Sequence, residues 1–281
     1  MKLVRFGESG LEKPGLIDAA GKLRDLSAYC RDIGGTDFSQ TKIAELSHLN
    51  TDSLPLVQGN PRLGACIAAP GKFICIGLNY ADHAAETGKA VPPEPVVFMK
   101  ATSALCGPND PIEIPRGATK TDWEVELGVV IGARAKYVDE ANAPSYVAGY
   151  CTVNDVSERA FQSERQGQWS KGKSHDTFGP VGPWLVTADE VADPQNLKLW
   201  CEVDGHRFQN GSTATMVYSV AFLIHYLSQF MTLHPGDIIA TGTPPGCGMG
   251  VKPNPIFLKP NQRIRLEVEG LGTQDHITTQ A

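Results

Sequence analysis

The sequence has no long apolar run. Stretches such as Val129–Ile131 and Ile238–Ala240 are far shorter than the roughly 20 residues of a bilayer-spanning helix, so no membrane partner is expected. It has no basic arm and no Lys/Arg-rich block. With 25 Lys and Arg against 31 Asp and Glu, the net charge of −6 argues against a nucleic-acid partner. The opening Met-Lys-Leu-Val-Arg-Phe-Gly-Glu lacks the apolar core of a secretory signal. There is no Cys-x-x-Cys, and the seven cysteines, at 30, 66, 75, 106, 151, 201 and 247, are odd in number. Several stand inside apolar strand-like runs, as in Phe73-Ile74-Cys75-Ile76. They read as reduced, buried thiols of a cytoplasmic protein, not as a disulfide frame or a zinc site. Internal repeats and low-complexity tracts are also missing.

Helical periodicity is scarce. The clearest case is Met216 to Met231, and a shorter helix is expected from Thr41 to Leu49 with Asp37 or Ser39 as its cap. Strand-like runs are frequent: 73–77, 95–99, 123–131, 146–153, 182–187, 197–203, 237–241 and 263–268. Near the start, Leu3–Phe6 and Pro14–Asp18 suggest a hairpin. Strands and helices do not alternate regularly, which excludes a doubly wound parallel sheet and leaves a β-rich α+β fold. At 281 residues, 41% hydrophobic and 20% charged, the chain suits a small N-terminal domain, 1–68, and a larger one, 69–281, that carries the chemistry.

That chemistry centres on Trp123–Ile131. Apolar residues hold the odd positions, so the run reads as a strand, and Glu124 and Glu126 point to one face. The face continues through Gly128, Val130 and Gly132, which does not suit free solvation. Two covered carboxylates repel each other and are costly to desolvate, and a hard divalent cation would remove that cost. Asp155, at the end of the run from Tyr146 to Val153, is a third candidate ligand. The pair also fits the wet face of an edge strand, and Asp155 also fits a helix cap.

Four other segments carry reactive groups. His83 and Glu86 stand one helical turn apart, as a base and its orienting carboxylate or as a surface pair. Arg159 and Gln162 stand one turn past Asp155, where a planar guanidinium suits a carboxylate ligand; a solvated helix face, as Glu158, Glu164 and Arg165 suggest, is the alternative. Ser170–Pro180 is expected to be a polar loop, and its lysines could stabilise a developing negative charge. Thr241–Gly250 follows a strand but lacks Gly-Lys-Ser/Thr, so it is no phosphate loop; it suits a wall that lets a substrate approach the backbone, with the Thr243 hydroxyl as a donor.

Together these segments resemble the fumarylacetoacetate hydrolase family. The matching strings are Gly-Leu-Asn-Tyr-x-x-His-x-x-Glu (77–86), Glu-x-Glu-Leu (124–127), Gly-Tyr-x-x-x-Asn-Asp-Val-Ser-x-Arg (149–159), Gly-Lys-Ser-x-Asp-Thr-Phe (172–178), Pro-Gly-Asp-Ile-Ile-x-Thr-Gly-Thr-Pro-x-Gly (235–246) and Glu-Gly-Leu-Gly (269–272). They follow the family's order. The resemblance implies a twisted, mixed β-sheet roll of the fumarylacetoacetase type, and a homodimer. It implies Mg²⁺, with Mn²⁺ or Ca²⁺ as substitutes, on Glu124, Glu126 and Asp155. It places His83 and Glu86 as a catalytic dyad on a segment that closes over the site. Lys173, with Arg159, Gln162 and Thr243, falls where the family holds the keto-acid end of the substrate and its developing oxyanion. His175 and Cys247 stand where relatives often carry other residues, and neither is assigned a role.

The reaction this implies is hydrolysis of a C–C bond in a 2,4-diketo acid of the acylpyruvate type, giving pyruvate and a second acid. The long form of the chain is most similar to members acting on 2,4-diketo-3-deoxy sugar acids derived from rhamnonate or fuconate. Isomerisation of an unsaturated 2-oxo dicarboxylic acid and decarboxylation of oxaloacetate need the same cation and keto acid. A non-catalytic metal- or ligand-binding protein is the alternative of another class; it makes no use of a dyad beside a carboxylate triad.

Overall fold

A computed structural model describes Met1 to Ala281 apart from Thr36, Asp37, Thr87 and Lys89. The strand Val125–Ile131 forms its centre and is buried along its whole length. Alternation sends Val125, Leu127, Val129 and Ile131 into one apolar cluster and Val130 into another, so both faces of the strand are covered. Each such side chain stabilises the fold by roughly 1.5–3 kcal/mol. A Glu pair on this strand is therefore not on a wet edge.

The strand lies in a nine-stranded sheet. The order is Leu23–Asp25, Lys13–Ile17, Lys2–Phe6, Leu185–Thr187, Val147–Asn154, Val125–Ile131, Ile238–Ala240, Phe73–Gly77 and Val96–Lys100. The central strand is antiparallel to both neighbours, whereas Ile238–Ala240 runs parallel to Phe73–Gly77, so the sheet is mixed. A five-stranded sheet, His206–Ser212, Lys198–Val203, Arg263–Val268, Thr273–Gln280 and Ile112–Ile114, covers one face together with the helix Val220–Phe230. This is the β-rich α+β architecture expected from the sequence.

The expected N-terminal hairpin forms, with Lys2–Phe6 antiparallel to Lys13–Ile17. Its strands extend the nine-stranded sheet, and Leu3, Leu16 and Leu26 share an apolar cluster with Phe73, Cys75 and Val130. The boundary drawn between 68 and 69 thus divides one sheet and one core. The first helix is Gln40–Ser47, capped by Ser39, whose hydroxyl accepts from Lys42 N at 3.2 Å; Asp37 lies outside the described residues. The long helix starts at Val220, not Met216. Ser219 caps it, because Val217 N donates to Asn79 O and holds the chain extended there. Besides short strands such as Leu23–Asp25 and Ile112–Ile114, two long strands escape the sequence reading. Thr273–Gln280 alternates, but the residues it buries are Gln274, His276 and Thr278, which give no apolar signal; His206–Ser212 is largely exposed. Among the described residues, no helix is long and apolar enough to cross a membrane.

Candidate active site

The two strands that meet at the centre of the sheet bring the carboxylates together. Val153 pairs with Glu126 and Asn154 with Val125, and Asp155 N donates to Glu124 O at 2.9 Å just beyond the ladder. Ligand oxygens of Glu124, Glu126 and Asp155 consequently lie within 4.8 Å of one another, all buried. Asp155 does not cap the helix Arg159–Ser163; Glu158 does, with its carboxylate accepting from Ala160 N. Glu158 is itself fully buried, so exposure begins only at Ser163, the last residue of this helix, and continues through Glu164 and Arg165.

Buried cations face this cluster. Lys173 Nζ donates to Glu124 Oε2 and to Asp155 Oδ2, both at 2.6 Å. Lys100 Nζ donates to Asp155 Oδ1 and to Val156 O. Arg159 spans two carboxylates, from Nη2 to Glu124 Oε1 at 2.6 Å and from Nε to Asp122 Oδ2 at 2.9 Å, and donates from Nη1 to Gln162 Oε1 at 3.1 Å. Burial would raise the Glu124 carboxyl, but Arg159 and Lys173 hold it well below the ordinary carboxylate range. Burial would discharge Lys173, yet Asp155 and Glu124 keep it charged.

Glu126 is different. Among the described residues it forms no ion pair, and Gly242 N donates to its Oε2 at 2.8 Å. Burial, and then the charges of Asp155 and Glu124, push it well above the ordinary range. Four carboxylates, counting Asp122, thus face three cations, and among the described residues Glu126 is the one with no cation paired with it, which draws it toward its neutral form. A divalent cation would supply the missing partner. Oxygen-only donors this close suit a hard ion, whose neighbouring ligands stand about 3 Å apart at metal–oxygen distances of about 2.1 Å. The residues fit the group.

The helix Ala81–Glu86 places His83 in the lining of the cavity. His83 Nδ1 lies 3.3 Å from Glu86 Oε2, and Gly246 N donates to both oxygens of Glu86 at 3.1 Å. Burial would raise Glu86; the bonds from His83 and Gly246 N bring it below its ordinary value. Asn79 fixes the base of this helix, donating to Tyr218 O and Thr241 O and accepting from Tyr218 N.

Ser170–Lys173 is a short helix instead of the expected loop, and it is what turns Lys173 inward. Gly172 permits this: a Cβ there would stand 2.4 Å from Glu158 O. Gly242 adopts φ +101, a conformation that aims its N–H at Glu126 and that a side chain would strain. Thr243 lines the cavity, but its single hydroxyl proton goes to Val125 O at 2.9 Å while it accepts from Gln209 Nε2. Toward a substrate it offers an acceptor, not the donor expected.

One cavity gathers His83, Glu124, Glu126, Asp155, Arg159, Gln162, Lys173 and Thr243, and Glu86 stands behind His83. Two functional residues escape the sequence reading. Asp122, two positions before Glu124, carries the same even-position signal; it holds Arg159 and accepts from Gly248 N and Met249 N. Lys100 closes an apolar strand, and a lysine in that place is a weak signal.

Known proteins share this fold. A family model described as fumarylacetoacetate (FAA) hydrolase C-terminal matches residues 72–277. A Burkholderia orbicola protein provisionally named a hydrolase is 66% identical over 274 residues, covering 98% of this chain and 97% of its own. The solved fumarylacetoacetate hydrolase of Exiguobacterium antarcticum superposes with a TM-score of 0.87 at 34% identity, over 100% of both chains. The maleylpyruvate hydrolase of a Sphingobium strain, solved with manganese(II) and pyruvate, superposes with a TM-score of 0.81 at 26% identity, over 100% of both chains. The fold is thus of the fumarylacetoacetase type throughout, and the chain belongs to the fumarylacetoacetate hydrolase family.

Proposed function

We propose that the chain is a divalent-metal-dependent hydrolase that cleaves the C3–C4 bond of a 2,4-diketo acid, releasing pyruvate and a second acid. The observation that carries this reading is the meeting of a carboxylate-oriented histidine and a three-carboxylate cluster on one cavity. A divalent cation on Glu124, Glu126 and Asp155, when bound, acts as a Lewis acid toward the substrate's 2-oxo and carboxylate oxygens. Mg²⁺ is the proposed ion; the manganese in the Sphingobium relative supports Mn²⁺ as its substitute.

The chain's own groups supply the rest. His83, with one ring nitrogen held by Glu86, takes a proton from the water that attacks the 4-carbonyl. The C3–C4 bond breaks, the acyl carbon keeps the hydroxyl and becomes a carboxylic acid, and the electron pair leaves with the three-carbon fragment. That fragment takes up a proton and becomes pyruvate. Lys173 stabilises the charge that builds on it: two of its three ammonium protons are used on Glu124 and Asp155, and one is left for substrate. Arg159 and Gln162 border the substrate's carboxylate end. The finer substrate reading, a 2,4-diketo-3-deoxy sugar acid, rests on the likeness of the motif set. Seven free thiols support a reducing, cytoplasmic setting. A homodimer is part of the proposal, and light scattering tests it.

Isomerisation is the second reading. A 2-hydroxyhepta-2,4-diene-1,7-dioate isomerase of Mycobacterium marinum, 32% identical with a TM-score of 0.77, favours it. A panel of 2,4-diketo acids with Mg²⁺, scored for pyruvate and the second acid, separates the two. Two acid fragments support hydrolysis. A shifted absorbance with no fragments supports the isomerase, and CO₂ release supports a decarboxylase.

A further inference from the structure

We propose a second, softer metal site beside the carboxylate triad: His83, Glu124 and Cys247 take a borderline-soft divalent ion such as zinc, and its binding switches the enzyme off. A nitrogen, an oxygen and a sulfur from these residues lie within 4.8 Å of one another, and all three residues are buried. Cys247 Sγ is 3.9 Å from Glu124 Oε1. In a tetrahedral zinc site, with Zn–S about 2.3 Å and Zn–N or Zn–O about 2.0–2.1 Å, neighbouring donors stand roughly 3.3–3.6 Å apart. Side-chain shifts of about an ångström therefore close the set. Imidazole, carboxylate and thiolate together select zinc over magnesium, the reverse of the oxygen-only triad.

The surroundings fit a dication. Cys247 stands between two residues whose N–H groups are anchored on carboxylates, Gly246 on Glu86 and Gly248 on Asp122. Glu124, in contact with the thiol, adds a third carboxylate to this neighbourhood, and Arg159, bound to Glu124, adds a guanidinium. Glu124 serves both sites from opposite oxygens: Oε2 meets Lys173, which also holds Asp155, while Oε1 accepts from Arg159 Nη2 at 2.6 Å and faces Cys247 with its remaining lone pair. Metal entry uses the cavity that His83 and Glu124 already line. On binding, the Cys247 S–H bond breaks, a sulfur–metal bond forms and the proton leaves to solvent, with no change of oxidation state. A metal-bound His83 nitrogen has no lone pair for water, and the shared Glu124 is drawn from the triad. The inhibitory part rests on the hydrolytic reading above; the binding part does not.

Cobalt(II) reports a thiolate ligand by charge-transfer absorption in the near ultraviolet. The full-length protein, held in saturating Mg²⁺, is titrated with Co²⁺. The expected result is a thiolate band that saturates near one equivalent and that added Zn²⁺ displaces. The band is lost in Cys247→Ser. In His83→Gln, which keeps every cysteine, binding weakens by at least about 10–100-fold, the range found for loss of even an outer-sphere partner. With an acylpyruvate as substrate, the zinc concentration for half-inhibition rises by the same factor in Cys247→Ser. Absence of the band in the parent protein, or its persistence at full strength in Cys247→Ser, overturns the site. Equal zinc sensitivity of parent and Cys247→Ser overturns the inhibitory role. If no acylpyruvate is turned over, the hydrolytic reading has failed, and the cobalt titration still decides the site.

Discussion

Arg159 donates from Nη2 to Glu124 Oε1 at 2.6 Å, so a residue expected to hold substrate also builds the metal-ligand set. Its Nε is bound to Asp122, and the fork leaves Glu124 one orientation. An ammonium cannot reproduce that planar span. Arg159→Lys is therefore expected to weaken Mg²⁺ or Mn²⁺ binding about 10–100-fold, in addition to any rise in KM. Calorimetric titration of the metal-stripped variant measures this. Parent-like metal affinity with a raised KM would mean that Arg159 acts on substrate alone.

Lys173 stands where a cation balances Glu124 and Asp155, 2.6 Å from each. Lys173→Met removes one of two cations from each carboxylate, leaving Glu124 to Arg159 and Asp155 to Lys100. The cost is therefore less than the roughly 3–5 kcal/mol of stranding a buried charge with no partner. The variant is expected to melt lower than the parent, to gain more in Tm from added Mg²⁺, and to lose about 10²–10³ in kcat. A Mg²⁺-induced shift no larger than the parent's would show that the lysine and the cation do not answer the same charge.

His83 and Glu86 act as one unit in this account. His83→Ala and Glu86→Gln should each lower kcat, the first by about 10²–10⁴, with Mg²⁺ affinity retained. The losses should not multiply in the double variant, because Glu86 acts through His83. Multiplying losses in single-turnover kinetics would assign the two residues separate roles.

Away from the site, Arg62 joins three parts of the chain. It donates to Asp110 Oδ1 at 2.6 Å and Oδ2 at 2.5 Å, and to Glu12 Oε1 at 2.8 Å. Burial works to raise both carboxyls, but hydrogen bonds from Arg62, with backbone donors, bring Asp110 and Glu12 below their ordinary values of 3.8 and 4.5. Their folded pKa values lie under the unfolded ones. The stabilisation is therefore complete above the ordinary values and is lost as pH falls through the folded ones. Arg62→Ala is expected to cost about 1–2 kcal/mol at neutral pH, reduced from a fully buried pair because Arg62 is part-exposed. The gap should shrink in acid. Urea unfolding across a pH series tests this, and a gap that stays constant below 3.8 contradicts it.

The central strand was legible because its alternation is unbroken and its flanking strands are apolar. The triad followed, since Glu124 and Glu126 share a face by period and Asp155 ends the neighbouring run. Lys173 could be named only through the family motif: four residues of helix at Ser170–Lys173 give no periodicity, and burial of that lysine depends on Gly172 meeting Glu158 from another segment. Thr273–Gln280 was invisible because its inward face is polar and satisfied by distant backbone, as when Gln274 Nε2 donates to Thr152 O. The spending of Thr243's proton on Val125 O joins residues 118 positions apart, which no local pattern encodes.

The most direct test of the account is pyruvate release from an acylpyruvate by protein stripped with chelator and shown to be free of metal, before and after Mg²⁺ is restored. The account predicts no release from the stripped protein and recovery with Mg²⁺, accompanied by one equivalent of the second acid. Undiminished release without metal would contradict the role given to Glu124, Glu126 and Asp155, and restored protein that yields no pyruvate would contradict the hydrolytic reading itself.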